Sequence, residues 1–264
     1  MLGSPDLALV ARLRAAGCVY AEEEAELLKE AAAGSTAELD LLVARRADEG
    51  LPLEQVLGWA AFAGLRVALR PGVFVPRRRT ELLASEALAL ARPGNVVVEL
   101  CCGSGAISLV LLAARPSLEL YATEVEPAAV ACAAENLWGR ATVLAGDLYS
   151  ALPMTLHGRV EVLVANAPYV PTGAIPLMPA EAREHEPAVA LDGGADGLDV
   201  LRRVLTGAPT WLATGGTVLV ECGEAQLPAL TAVALAAGLA PQVRRDEERE
   251  ATVVVARRLS RRPG

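Results

Sequence analysis

Residues 95–112 read NVVVELCCGSGAISLVLL. The first part is a short apolar run rich in β-branched residues, the pattern of a strand covered on both faces. Gly103 and Gly105 follow, and an apolar stretch with helical spacing begins at Ala106. A strand that enters a glycine turn and leaves as a helix is the opening unit of an α/β fold. The two glycines permit a tight turn and a close ligand approach that a side chain would block.

The same alternation continues outward. LELYATE (118–124) precedes a helical segment from Pro127 to Asn136, and ATVLAGD (141–147) and RVEVLVAN (159–166) read as further strands. A helix near Asp199 to Ala213 leads into GGTVLVECG (215–223), another spans Gln226 to Ala237, and LAPQVRRDEE (239–248) with ATVVVARR (251–258) closes the chain as a strand pair. The expectation is an α/β fold with an open, doubly wound, mostly parallel sheet that binds ligands at the carboxyl ends of its strands. Upstream, residues 6–60 read as short amphipathic helices, one opened by a capping box at Ser35 and Glu38. Residues 51–83 mix Gly, Pro and alternating apolar positions, which predicts a linker with a β-hairpin and then a helix from about Glu81. The expected division is a helical domain over residues 1–65, a linker and hairpin over 66–80, and the α/β domain over 81–264.

Composition narrows the class. The chain has 264 residues, 53% of them hydrophobic, and a net charge of −8, so it can bury a large core but is a poor electrostatic partner for long nucleic acid. Basic residues concentrate between Arg66 and Arg92 and in the tail at Arg257, Arg258, Arg261 and Arg262. The five cysteines form no C-x-x-C pair, and Asp6 and Arg12 interrupt what a signal peptide would need as an apolar core. A cytoplasmic protein with reduced thiols is expected. No apolar run is long enough for a membrane span, and His157 and His185 lack metal-ligand spacing with the cysteines, so neither membrane nor metal is expected.

The missing third glycine, where Ser108 stands, weakens a dinucleotide reading of the turn. Glu99 lies just before the turn, and Glu124 ends the next strand nineteen residues after Gly105. An acid at that strand end can accept both hydroxyls of a ribose, and no Lys or Arg stands in the turn to favour a phosphate. Asp147 ends the following strand at the height of an adenine amino group, with Leu148 beside it. Each acid alone reads as a helix cap or a solvated loop. Together with the glycine turn they describe a nucleoside without a pyrophosphate, which S-adenosylmethionine fits. Cys101, Cys102 and Ser104 fill the turn as backbone and bulk, since no basic partner for a nucleophilic thiol is visible.

The fourth strand ends in VLVANAPYVP (162–171). Asn166 presents a side-chain carbonyl, Ala167 a backbone carbonyl restrained by Pro168, and Tyr169 a ring face for a flat group. Two acceptors beside a ring suit a primary amide or an aromatic amine. They fix both N–H bonds and favour the positive charge that develops during methylation. No strong base is required first, which agrees with the absence of a histidine here. In isolation the stretch is equally a strand-ending turn with a core tyrosine; its place beside the glycine turn favours function.

NAPYVP is similar to the Asn-Pro-Pro-Tyr motif of methyltransferases that act on planar nitrogens. LEQVLGWAAFAGLRV, FVPRRRTELL, VVELCCGSGAISL, EHEPAVALDGGADGLDVLRRV and GGTVLVECGEAQ, spread over residues 53–226, resemble the HemK/PrmC branch, the protein-(glutamine-N5) methyltransferases of peptide-chain release factors. RDEEREATVVVARR resembles that family's closing strand. The resemblance implies a class I methyltransferase fold with a seven-stranded sheet and S-adenosylmethionine as donor. It implies that residues 101–105 wrap the methionine part, Glu124 holds the ribose, Asp147 and Leu148 border the adenine, and residues 166–169 hold the glutamine amide. It also implies a helical domain that helps recognise a release factor. The chain departs from the family at Ala167, where a proline is usual, at Cys101 in place of a glycine, and at Arg78 and Arg79. A monomer is expected. Two other readings remain at this point: methylation of another planar nitrogen, such as adenine in nucleic acid or a small-molecule amide, and a non-catalytic cofactor-binding protein. The first predicts salt-sensitive duplex binding, the second cofactor binding without turnover.

Overall fold

The computed structural model describes residues 7–259, so Asp6, Arg261 and Arg262 lie outside it. The chain begins with α1 (Leu7–Ala15), α2 (Ala21–Ala32), α3 (Thr36–Val43) and α4 (Leu53–Leu57). Leu13, Ala25, Leu28, Leu42 and Val56 give these helices a core of their own. Ser35 caps α3, its hydroxyl accepting the Glu38 N–H at 3.3 Å. α3 continues at Ala44–Asp48 as a π-helical turn, within which Arg46 is buried and bonds both carboxylate oxygens of Glu24.

The hairpin pairs β1 (Trp59–Phe62) with β2 (Leu65–Ala68), so a boundary after residue 65 falls inside its second strand. The reason is burial: Phe62 and Val67 pack with Leu83, Ile107 and Leu111 of the α/β body rather than with the helices before them. Asn136 pins β2 from the same side. Its Nδ2 donates to the Ala68 carbonyl and its Oδ1 accepts from the Ala68 N–H, each at 2.9 Å.

The rest alternates as its periodicity predicts: α5 (Glu81–Leu90), β3 (Val96–Leu100), α6 (Ala106–Ala114), β4 (Glu119–Glu124), α7 (Pro127–Asn136), β5 (Thr142–Ala145), β6 (Val160–Ala165), α8 (Ala180–His185), α9 (Asp199–Trp211), β7 (Leu212–Glu221), α10 (Leu227–Ala236), β8 (Leu239–Asp246) and β9 (Ala251–Arg258). His185 closes the short helix α8. The seven strands lie in the order β5-β4-β3-β6-β7-β9-β8, and β9 alone runs antiparallel to its neighbours. Alternate residues of β3 and β6 point to opposite layers. Val98 and Leu163 pack with Leu201, Leu205 and Leu230 on one face, and Val97 and Val162 with Leu83 and Leu111 on the other. Burial on both faces explains why these strands read as continuous apolar runs. Among the described residues no helix is long and apolar enough to cross a membrane.

Register sets the site. Leu100 pairs with Thr123 and Ala165, Glu124 with Ala145, and Ala165 with Val220. The glycine turn, Glu124, Gly146, Asn166 and Glu221 thus leave the sheet at one level, on both sides of the point where strand order reverses, where such sheets bind ligands.

Candidate active site

A cavity of about 780 Å³ opens at that edge. Glu99, Cys101, Cys102, Gly103, Ser104, Glu124, Asp147, Leu148, Asn166, Ala167, Pro168 and Tyr169 all line it. Gly105 does not. It caps α6 at φ +77°, where a Cβ would stand 3.0 Å from the Leu137 side chain, so its contribution is to the turn and to the packing of α6 on α7.

In the first half of the cavity Glu124 Oε2 accepts the Gly103 N–H at 2.8 Å, and Oε1 accepts those of Val125 at 2.7 Å and Glu126 at 3.0 Å. The carboxylate is fixed against the turn, and Oε2, with one hydrogen bond, keeps a lone pair for a further donor. Glu99 is buried and receives both the N–H (2.9 Å) and the hydroxyl of Ser108 on one oxygen. Burial pushes its carboxyl up to about 7, the Ser108 hydrogen bonds oppose this, and the Glu124 charge adds to it. Cys101 and Leu148 sit at φ +54° and +50°, in the left-handed region that costs a side chain about 1–2 kcal/mol. Two such residues on one cavity wall mark a backbone held in place for a ligand. Burial, reinforced by Glu124 for Cys101 and Glu99 for Cys102, raises both thiols, which makes them poor nucleophiles. Asp147 is half-exposed and paired with Arg203 at 2.6 Å. The arrangement fits a nucleoside with a cationic tail: a fixed acid at the ribose position, apolar walls, and no guanidinium in the glycine turn.

In the second half, Asn166 Nδ2 donates to the Thr80 hydroxyl at 3.3 Å. Its Oδ1 and the Ala167 carbonyl have no hydrogen-bond partner among the described residues. Two acceptors on consecutive residues of the cavity lining are therefore free to accept from a ligand. The Tyr169 hydroxyl donates to Glu221 Oε1 at 2.8 Å, and the Arg79 guanidinium lies 5.7 Å from the ring centroid and 3.3 Å from Glu221.

Sequence reasoning gave no role to Thr80, Glu221, Arg77 or Glu186. Arg77 and Arg79 both line the cavity, and Arg78 between them faces away to an exposed pair with Glu248. EHEPAVALDGGADG closes over the cavity. Glu186 accepts the Val75 N–H at 3.0 Å and binds Arg77 at 2.6 Å, while Val189 and Leu191 join the lining. Glu221 carried a readable signal, as an acid ending a strand that leaves the same sheet edge. Thr80 carried none, because its partner is far away in sequence.

Residues 64–181 match the family described as Methyltransferase small domain. The chain is 39% identical over 188 residues to the release factor glutamine methyltransferase of Geobacter sulfurreducens, a match covering 70% of this chain and 65% of that relative. To the release factor glutamine methyltransferase of Mycolicibacterium smegmatis it is 38% identical over 232 residues, covering 81% of this chain and 82% of the relative. Among solved structures, a methyltransferase from Pyrococcus furiosus superposes with a TM-score of 0.56 at 16% identity over 75% of this chain and 91% of that one, a likeness of fold. With the class I methyltransferase sheet order on one side and a relative matched over most of both chains on the other, the chain belongs to the release factor glutamine methyltransferase family.

Proposed function

We propose that this protein transfers a methyl group from S-adenosylmethionine to the side-chain amide nitrogen of a glutamine in a peptide-chain release factor. The observation that carries the reading is the pair of unspent acceptors, Asn166 Oδ1 and the Ala167 carbonyl, on the wall of a cavity whose other half suits the donor. When bound, S-adenosylmethionine supplies an electrophilic methyl group. Residues 101–104 would surround its methionine part, Glu124 would take a ribose hydroxyl, and Asp147 and Leu148 would border the adenine. Asn166 and Ala167 accept the two amide N–H bonds, hold the nitrogen lone pair towards the methyl, and stabilise the charge that develops there. Tyr169 supports the flat amide and Pro168 fixes the chain between ring and carbonyls. Once the nitrogen carries its new methyl group it is strongly acidic, so its extra proton leaves to water without a dedicated base. The helical part, residues 1–65 with the hairpin start at Trp59, contributes to recognition of the protein acceptor through Pro52, which lines the cavity.

The test is transfer of radiolabelled methyl to purified release factors from the same organism, with peptide mass spectrometry of the product. Label is expected on the glutamine of the Gly-Gly-Gln loop. Asn166→Ala is expected to lower kcat by roughly 10²-fold, the usual loss when one preorganised hydrogen-bonding group is removed. Release factors that stay unlabelled, while an extract takes up Asn166-dependent label, would overturn the acceptor and leave the chemistry standing.

A further inference from the structure

The stretch GGTVLVECGEAQ ends beside the site, and none of its residues lines the cavity. β7 delivers Glu221 to the sheet edge beside Asn166, because Val220 pairs with Ala165. The Glu221 carboxylate is 2% exposed; Oε1 accepts from the Tyr169 hydroxyl at 2.8 Å, and Oε2 has no partner among the described residues. Five residues on, Gln226 Nε2 donates to the Tyr169 carbonyl at 2.9 Å and to the Asp196 carbonyl at 3.1 Å, while its Oε1 accepts the Gly223 N–H at 2.9 Å. One short segment thus holds Tyr169 at both ends, ring and backbone. Gly197 completes the fit, since a Cβ there would collide with the Tyr169 carbonyl. Arg79 stands over the ring and 3.3 Å from Glu221, so the buried carboxylate has a cationic neighbour.

We infer that Glu221 and Gln226 are positioning residues that fix the ring and the carbonyl of Tyr169, and through Pro168 the acceptor carbonyl of Ala167, in one geometry. This rests on the proposed reading of residues 166–169 as the acceptor site. A charged acceptor oxygen holds a phenol more strongly than a neutral one, so Glu221→Gln weakens the clamp without emptying the space.

The experiment compares wild type, Glu221→Gln, Tyr169→Phe and the double variant, all as full chains. Kinetics with release factor are measured alongside S-adenosylmethionine affinity by calorimetry. Each single variant is expected to lose about tenfold in kcat/KM for the acceptor with cofactor Kd within twofold of wild type. The double variant is expected to be no worse than the poorer single, because both break the same bond. Losses that multiply, or a fully active Glu221→Gln, would overturn the inference. A substrate-free arm separates it from the functional reading. With 3-fluorotyrosine incorporated and the Tyr169 resonance assigned by its absence in Tyr169→Phe, Glu221→Gln and Gln226→Ala should each shift or broaden that ¹⁹F signal. If wild type methylates no release factor but the signal responds, the positioning stands and the acceptor reading falls. An unmoved signal in both variants overturns the positioning.

Discussion

Asn166 can present a carbonyl to a substrate amide because its own nitrogen is already engaged. The Thr80 hydroxyl, 3% exposed, is what engages it, so the amide cannot turn over without losing a buried bond. Thr80→Val keeps the shape and deletes the bond. It is expected to reduce kcat by roughly 3- to 10-fold, corresponding to about 1 kcal/mol for a neutral hydrogen bond, with cofactor affinity unchanged and activity restored by Thr80→Ser. Steady-state kinetics of the two variants check this; a valine variant as fast as wild type would show that Asn166 is oriented by other means. Cys101 poses the opposite question, since at φ +54° it occupies a conformation that glycine adopts freely. Cys101→Gly releases about 1–2 kcal/mol of strain but gives back a similar amount in unfolded-chain entropy and lost side-chain burial. Urea unfolding should place the variant within about 1 kcal/mol of wild type, and a larger loss would mean that the thiol packs more than it strains.

β3 and α6 are joined not only by their turn but by Glu99, which receives two hydrogen bonds from Ser108 of α6. Its carboxyl, raised by burial from the ordinary 4.5 to about 7, binds a proton more tightly in the folded protein than in the unfolded chain. The stability it contributes is complete below the unfolded value and is lost as pH rises through about 7. Glu99→Gln carries no charge at any pH, so it should match wild type near pH 4.5 and exceed it by on the order of 3 kcal/mol at pH 8. Urea midpoints of both proteins across that range test the point, and parallel pH curves would refute it. At this scale the fold was largely legible, because the apolar runs of β3, β4 and β6 and the helical spacing between them are local properties of the chain. That Glu99, Glu124 and Asp147 would gather at one sheet edge was legible for the same reason: each lies at or near the end of its own strand. The hairpin boundary was not, since it depends on Phe62 and Val67 choosing the distant Leu83 and Ile107 as packing partners. Nor were the acceptor supports, because Thr80 and Glu221 meet Asn166 and Tyr169 only after the sheet has formed.

Across the whole molecule, the helical part lines the cavity at Pro52 and is tied to the segment beside it by the polar side chains of Arg46 and Gln55. Arg46, with 7% of its side chain exposed, binds Glu24 through Nε at 2.6 Å and through Nη2 at 3.1 Å. Its Nη1 donates to Glu181 at 2.7 Å and to the Leu51 carbonyl at 3.1 Å. Glu181 belongs to α8 and lines the cavity, so one guanidinium ties α2 and the loop before α4 to the segment covering the acceptor. Gln55 adds a second tie, donating from Nε2 to the Val73 carbonyl at 3.2 Å and the His185 carbonyl at 3.3 Å. The two ion pairs made by Arg46 differ in solvation, since the Glu24 side chain is 11% exposed and that of Glu181 is 47%. Arg46→Ala strands a buried carboxylate and should cost roughly 3–5 kcal/mol of stability. Glu181→Gln removes only the half-solvated pair and should cost less than about 1 kcal/mol. Its effect should appear instead in function, as a higher KM for the protein acceptor with cofactor Kd unchanged, because α8 loses one of its two ties to the helical part while the glycine-turn half of the cavity is untouched. Urea unfolding and acceptor titrations on the two variants separate these expectations. If Arg46→Ala proved no more destabilising than Glu181→Gln, the helices would be held by their apolar core alone, and the connection between them and the cavity would have to run through Gln55.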